Sequence, residues 1–350
     1  MHSALVCALS CAIAATAASQ ERQVTFEEPQ PVTITGFAVG RADLDRAARS
    51  SSFSAGKLAV SFFKPVGDAY VFGQLTTALQ DGVSSTEIDN LIVSWTPHTA
   101  TRWTAAFGRF DAPIGFERDD EPLNFVPTSS FNFELARPSK LTGAIMRFTA
   151  SPTVELVAAV ANGWNVAVDN NRNKTGLLRA QWISRPGLTV AVTGVYGPER
   201  DSTSGHLRAL LSNDVTLEIG RVIVGTELNL GRERAVPGVD LSWTGAAATG
   251  FARLGRQWGL TARYEYLDDR HGALGAGTIL QSLTMGPMWF FRSAQEGIFS
   301  NIEHTTFHLP QVGIRAAVRL DDARSPFFKD SGASLQRTNT RAVIELVYLF

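Results

Sequence analysis

Residues 341–350 at the end of the chain read RAVIELVYLF, and this stretch decides the fold. Successive side chains of an extended strand point to opposite faces. One face is wholly apolar and contains Ala342, Ile344, Leu346, Tyr348 and Phe350. The other face contains Arg341, Val343, Glu345, Val347 and Leu349. An apolar face opposite a charge-bearing face predicts a strand whose two sides meet different environments.

The same alternation recurs in residues 260–267 and 312–320, where Arg263, Glu265, Arg315 and Arg319 lie on the polar face. An antiparallel sheet that packs one face on a soluble core shows the same pattern. Alternation therefore predicts strands without choosing between a soluble sheet and a membrane barrel.

The connections between the predicted strands favour the barrel. Short links include residues 65–67, 97–100, 151–152, 185–187 and 212–214, and long polar ones include 41–54, 112–139, 164–173, 229–238, 269–278 and 321–338. Tight turns at one end and long loops at the other are typical of outer-membrane barrels. We predict an all-β fold, a transmembrane antiparallel β-barrel of about 16 strands with short periplasmic turns and long extracellular loops. Residues 292–310 are too long for a periplasmic turn and leave this strand count open by two.

The N-terminal segment predicts export. Residues 4–18 are almost wholly apolar or small, and polar residues begin at Gln20. We assign residues 1–19 as a signal peptide, cleaved before Ala18 or Gln20, and residues 20–350 as the barrel. The first three residues carry no Lys or Arg, so either the true start lies upstream or the α-amino group supplies the positive charge. A buried N-terminal helix is the alternative to a signal peptide. Both cysteines, Cys7 and Cys11, lie in this segment, so the mature chain would contain neither disulfides nor thiol chemistry.

Charge and chain end indicate the partners. Lys plus Arg total 32 against 33 Asp plus Glu, which gives no electrostatic reason to expect nucleic acid. The sequence after the N-terminal segment contains no run of 18 or more apolar residues, so no transmembrane helix is expected there. The terminal Phe350 of an alternating strand is similar to the signal that the barrel insertion machinery reads. We expect outer-membrane lipid, that machinery and small hydrophilic solutes as partners, a homo-oligomer as an option, and the Gram-negative outer membrane as location.

Several motifs resemble a known family. They are GRFDAPIGFE at residues 108–117, Thr142-Gly143 at the start of a strand, NGWN at 162–165 and YEYLDD at 264–269. Together with the terminal strand they resemble the OmpL-like β-barrel porin family. The resemblance implies a pore-forming barrel of the outer membrane and implies no catalytic residues.

The long segment 112–139 follows the fifth predicted strand and carries many charges. Acids lie near one end and bases near the other: Glu117, Arg118, Asp119, Asp120 and Glu121, then Arg137 and Lys140. If the segment folds into the lumen, these residues are candidates for a pore constriction with a transverse field. A solvated extracellular loop is the alternative.

Strand phase predicts a lumen richer in Arg than in acid. The inward candidates are Arg102, Arg147, Arg179, Arg208, Arg263, Arg315, Arg319 and Arg341, with Glu155, Glu218, Glu265 and Glu345. Unpaired guanidinium groups attract anions, so we expect a mild anion preference. If the Arg residues all pair with acids, no preference follows.

The leading functional hypothesis is passive diffusion of small hydrophilic solutes through a water-filled lumen. An outer-membrane lipase-type barrel enzyme and a structural or adhesive barrel with a closed lumen are the alternatives. We find no Ser–His pair for the enzyme, so we predict no catalysis. His304 and His308 share a strand face without a firm third ligand, so we predict neither a metal site nor a cofactor.

Overall fold

The computed structural model describes residues 31–80, 83–185, 187–200, 205–236, 239–292, 311–332 and 334–350. Residues 32–350 belong to one compact unit. The predicted signal peptide, the segment 293–310 and the two histidines His304 and His308 lie outside the described residues.

Nearly all regular structure is strand. The strands are β1 Thr33–Asp45, β2 Ser50–Ser54, β3 Lys57–Val66, β4 Ala69–Gln80, β5 Val83–Trp95, β6 Trp103–Asp111, β7 Lys140–Ser151, β8 Val154–Ala161, β9 Thr175–Arg185, β10 Leu188–Pro198, β11 Leu207–Ile219, β12 Val222–Val236, β13 Val239–Arg253, β14 Trp258–Asp268, β15 Ile279–Arg292, β16 Val312–Ala323, β17 Phe328–Lys329, β18 Leu335–Gln336 and β19 Thr338–Leu349. The segment 112–139 contains a 3-10 turn at Glu121–Leu123 and a π-helical turn at Asn132–Ala136. Among the described residues, no helix is long and apolar enough to cross a membrane.

Sequential antiparallel pairing closes the sheet into a barrel. From β3 to β16 each strand pairs with the next along the chain, β16 pairs with β19, and β1 pairs with β19 from Phe37 opposite Leu349 to Asp45 opposite Arg341. The short strands β17 and β18 pair only with each other, in a separate sheet. Both β2 and β3 pair with β1 and form two halves of one crossing, so the seventeen-stranded sheet crosses the membrane sixteen times. Gly56, at φ 60°, lies at the break between the halves. The predicted count of sixteen strands is confirmed.

The two faces of the wall differ as the alternation predicts. In β19, Ile344, Leu346 and Tyr348 are exposed on the outside, whereas Glu345 is fully buried on the inside. In β14, Leu260 and Tyr264 are about half exposed, whereas Arg263 and Glu265 are buried. Because an outward apolar band next to inward charges suits lipid outside and polar contents inside, the barrel matches a membrane protein.

One predicted turn is wrong. Residues 212–214 lie in the middle of β11, and the turn lies instead between β11 and β12 at Gly220, whose φ is 60°. Asp214 faces the interior and accepts from Arg179 at 2.6 Å, whereas Asn213 has the outward phase and donates to the Ala191 carbonyl of the neighbouring strand at 2.9 Å. In the sequence alone, polar residues that form hydrogen bonds between neighbouring strands cannot be told from turn residues.

The predicted long loops 41–54 and 229–238 are also wrong in length. β1 continues to Asp45 and β12 continues to Val236, so hydrogen-bonded pairs occupy most of both stretches. The pairing of Glu233 with Leu241 and of Arg232 with Ser242 extends β12 and β13 together beyond the predicted strand end. Strands can continue beyond the lipid layer because hydrogen bonds between neighbouring strands satisfy the backbone N–H and C=O groups there as well.

Candidate functional site

The segment 112–139 lies inside the barrel. It leaves β6 after Asp111 and returns to β7 at Lys140. The backbone N–H of Gly115 donates to Asp214 at 3.3 Å, and that of Phe116 donates to Glu227 at 3.0 Å. Since both carboxylates belong to the inward face of the wall, the segment crosses the lumen rather than leaving the mouth.

Three arginines of the wall hold the carbonyl oxygens of the segment. Arg315 donates to the Asn124 carbonyl at 2.6 Å and Arg263 donates to the Ser129 carbonyl at 3.0 Å. Arg319 also donates to the Ser129 carbonyl. All three guanidinium groups are buried, and charge-assisted hydrogen bonds of this kind are stronger than neutral ones.

Two apolar clusters pack the segment against the wall. Phe125 stacks on Phe251 with ring centroids 4.6 Å apart, within a cluster that also contains Phe37, Met288 and Phe290. The second cluster joins Ile114, Phe131 and Ala136 of the segment to the wall residues Phe110, Leu141, Ala159, Ala161, Leu177, Val195, Leu210, Trp243, Leu267, Leu280 and Ala323. Burial of this apolar area fixes the segment in addition to the arginine contacts.

Glycines of the wall make room for the segment. A Cβ on Gly225 would lie 2.3 Å from the Phe116 ring, and one on Gly245 would lie 1.9 Å from Asn132 Oδ1. Larger residues at either position would displace the segment from the wall.

Most charges of the segment pair with the wall. Glu117 accepts from the Ser130 N–H at 2.9 Å and lies 3.5 Å from Arg263. Arg137 donates to Glu227 at 2.8 Å. Lys140 is buried and lies 2.8 Å from Asp89 and 3.1 Å from Asp119, with Asp111 as a further partner.

The remaining predicted constriction residues lie at the turn of the segment. The Glu121 carbonyl accepts from Arg315 at 3.0 Å. Asp120 accepts from Gln74 of β4 at 3.2 Å. The Arg118 N–H donates to Asn124 Oδ1 at 2.8 Å, and its half-buried side chain has no recorded ion pair among the described residues. Arg137 and Lys140 are therefore joined to acids within the packed interior and do not form a separate basic row opposite the acids.

The Asp120 carboxyl is a weaker acid than an ordinary aspartate. Burial raises the pKa of its carboxyl to about 7, and the negative charge of Asp111 acts in the same direction. Lys57, Lys140 and the Gln74 amide oppose this rise. The Asp120 charge therefore changes near neutral pH.

The predicted lumen-lining residues are found mainly in ion pairs. Arg179 pairs with Asp214, Arg208 with Glu233, Arg315 with Glu345, Arg319 with Asp321 and Glu265, Arg147 with Glu155, and Arg341 with Asp45. Glu218 lies in β11, with its backbone N–H bonded to Gly187. Arg102 differs from the rest, since it lies in the turn before β6, and its carbonyl accepts from Thr149.

Several site residues escaped the sequence reasoning. Asp214 and Glu227 share the inward phase of the predicted arginines, so counting acids by phase would have found them. Phe251, Phe290 and Val347 are apolar residues in the polar phase near the periplasmic ends of their strands. Apolar residues at these inward positions interrupt the alternation, and this interruption indicates that the interior is packed at the periplasmic end.

A closed antiparallel barrel with a segment folded across its lumen defines a porin of the Gram-negative outer membrane. The chain belongs to the family described as "Putative beta-barrel porin-2, OmpL-like", whose model matches residues 32–350. The predicted family and location are thereby confirmed, and the protein is an outer-membrane porin channel.

Solved barrels have the same fold at low identity. OmpT of Vibrio cholerae in its trimer form is 12% identical with a TM-score of 0.63, covering 91% of this chain and 99% of that one. The channel DcaP of Acinetobacter baumannii is 10% identical with a TM-score of 0.63, covering 91% and 97%. The anion-selective porin from Comamonas acidovorans is 10% identical with a TM-score of 0.63, covering 91% and 99%. No curated protein sequence matches the chain.

Proposed function

We propose that the segment 112–139 is the constriction of this porin and sets the size of the solutes that pass. The observation that carries the proposal is its attachment by Arg263, Arg315 and Arg319, which hold carbonyl oxygens of the segment inside the lumen. A segment held by buried guanidinium groups keeps its position when solutes flow past it.

The passage is proposed to run beside the turn of the segment. A hollow there is lined by Arg118 and Asn124 of the segment and by Arg179, Gln181 and Asp214 of the β9–β11 wall. Phe116 and Leu123 of the segment also line the hollow, so hydrated solutes would pass along its polar side.

A mild anion preference is proposed for this passage. Arg179 is neutralised by Asp214, whereas Arg118 has no recorded ion pair among the described residues. Lys57, two positions before the buried Ala59, shares the inward face and acts electrostatically on Asp120. The Comamonas acidovorans porin of similar fold is described as anion-selective, which supports the proposal by analogy.

We further propose that the mature chain begins after residue 19, that Phe350 is read by the insertion machinery and that the porin forms homo-oligomers. The trimer form of the Vibrio cholerae OmpT of similar fold supports the last point. We also propose that the barrel has no enzymatic activity.

Swelling of liposomes that contain the refolded protein tests the channel, its constriction and the absence of enzymatic activity. Small sugars should enter, entry should slow steeply with sugar size, and ester substrates should remain intact. Sealed vesicles would contradict the porin function, and ester hydrolysis would support the lipase-type alternative. Entry without dependence on sugar size would contradict the constriction.

A further inference from the structure

The lipid-facing surface of β6–β10 contains a depression of about 890 Å³. Its floor consists of small residues in neighbouring strands: Ala144, Ala158, Gly176 and Gly194. Register places them side by side, since Ala158 and Gly194 both lie opposite Leu178. This volume is within the range of small-molecule sites in proteins.

The sides of the depression are exposed apolar side chains. Leu178 is 69% and Tyr196 is 57% exposed, and Met146 forms a further side. Small residues between these large ones form a groove in the wall. Because these residues point away from the lumen, the groove opens toward lipid.

One cation of the described chain lines the groove, and a second lies near the same end. Lys174 lines it and begins the turn into β9 at the extracellular end, where it pairs with Asp169. Arg109 lies opposite the exposed Leu91 and opposite Thr142, which places it on the outward face at the same end. No hydrogen bond or ion pair of the Arg109 side chain is recorded within the described part of the chain.

An aromatic pair lies on the periplasmic side of the groove, outside its lining. Trp103 and Phe148 stack with ring centroids 4.1 Å apart at the periplasmic ends of β6 and β7. Aromatic residues in this position occupy the membrane interface. The groove itself ends before this aromatic pair, and Lys174 is the cation that lines it, at the extracellular end.

We propose that this groove binds lipopolysaccharide of the outer leaflet. Its acyl chains would lie over Ala144, Gly176 and Gly194, and a phosphate of its lipid A would meet Arg109 and Lys174. An outward cation at the membrane surface is stabilised by anionic lipid. A guanidinium group binds phosphate in a bidentate manner. Lipopolysaccharide combines both features on the leaflet where the cations lie.

Native mass spectrometry of the porin extracted from outer membranes in mild detergent tests the proposal. We expect bound lipopolysaccharide on the wild type and at least about a tenfold lower occupancy in Ala144→Phe, which fills the groove. Ala248→Phe is the matched control, since Ala248 is an exposed alanine opposite Tyr264 on β13. Gly194→Leu repeats the test if Ala144→Phe does not fold.

A second arm identifies the lipid. The double variant Arg109→Gln and Lys174→Gln should bind less lipopolysaccharide than the wild type. It should bind intact lipopolysaccharide no more tightly than the dephosphorylated form. Equal retention of phosphatidylglycerol would overturn the assignment to lipopolysaccharide. Unchanged lipid occupancy in both groove variants would overturn the site. Loss of an oligomer without loss of lipid would also overturn it, because the face would then be the contact with a second copy of the chain.

Discussion

At the scale of single residues, the interior separates paired charges from unpaired ones. Arg137 and Lys140 neutralise acids inside the packing and therefore hold the segment in place. Arg118 lines the hollow beside β9–β11 and has no recorded ion pair among the described residues. We infer that selectivity depends on the few unpaired charges and not on the total of inward arginines.

Arg118→Gln tests this inference. Removing one charge near a hydrated passage should reduce the attraction of an anion by a few tenths to about 1 kcal/mol, a roughly two- to fivefold fall in the anion-to-cation permeability ratio. Reversal potentials in a salt gradient measure the ratio. Arg232→Gln is the control, because Arg232 is exposed and pairs with Asp240. An equal effect of both variants would mean that Arg118 has no special position.

Asp120 predicts a pH-dependent selectivity. Its carboxyl has a pKa of about 7 because of burial and the nearby Asp111. The group is mostly neutral at pH 6 and mostly negative at pH 8, so the lumen gains negative charge as pH rises. The anion preference should therefore fall between pH 6 and pH 8, and the change should disappear in Asp120→Asn. Reversal potentials at both pH values measure it, and an unaltered pH dependence in Asp120→Asn would contradict the assignment.

At the scale of elements, the strands were predictable because alternation is imposed by two different environments. The terminal strand and β14 were read correctly, since each has an uninterrupted apolar face. The turn at 212–214 was misread because Ser212, Asn213 and Asp214 are typical turn residues. The contacts of Asp214 with β9 and of Asn213 with β10 depend on strands that the local sequence does not contain.

The position of the segment 112–139 was predictable only in outline. Its length and its place after the fifth strand indicated an inward fold, but its contacts depend on residues far along the chain. Arg263, Glu265, Arg315 and Arg319 bind it across more than a hundred residues of sequence. No periodicity encodes such pairing.

Gly245→Leu tests whether this element narrows the passage. A Cβ on residue 245 would lie 1.9 Å from Asn132 Oδ1 and 3.3 Å from Ala136 Cβ, so the leucine side chain should displace the π-helical turn. We expect a larger single-channel conductance and faster entry of large sugars. Gly250→Leu is the control on the same strand, since its Cβ would meet only the Ala262 carbonyl at 4.0 Å. An unchanged conductance in a folded Gly245→Leu barrel would contradict the role of the segment.

At the scale of the whole molecule, closure depends on the meeting of the first and last strands. The Gly36 N–H donates to the Phe350 carbonyl at 2.7 Å, and the Phe350 N–H donates to the Gly36 carbonyl at 2.9 Å. Closure removes the unpaired edges that would otherwise remain on both strands. The terminal residue thus takes part in the barrel seam as well as in the proposed recognition by the insertion machinery.

Gly36→Val should weaken this seam. A Cβ on Gly36 would lie 2.3 Å from the Ala59 carbonyl and 2.6 Å from the Phe350 ring, whereas one on Gly40 in the same strand would meet nothing within 4 Å. Overpacking of this kind costs roughly 1–3 kcal/mol, so less Gly36→Val protein should show heat-modifiable gel mobility, with Gly40→Val close to the wild type. Partial recovery of folding in Gly36→Val by Phe350→Leu would identify the ring as one of the two obstacles, the Ala59 carbonyl being the other. Equal folding of the two glycine variants would mean that the seam tolerates a side chain at this position and that closure depends on the rest of the β1–β19 ladder.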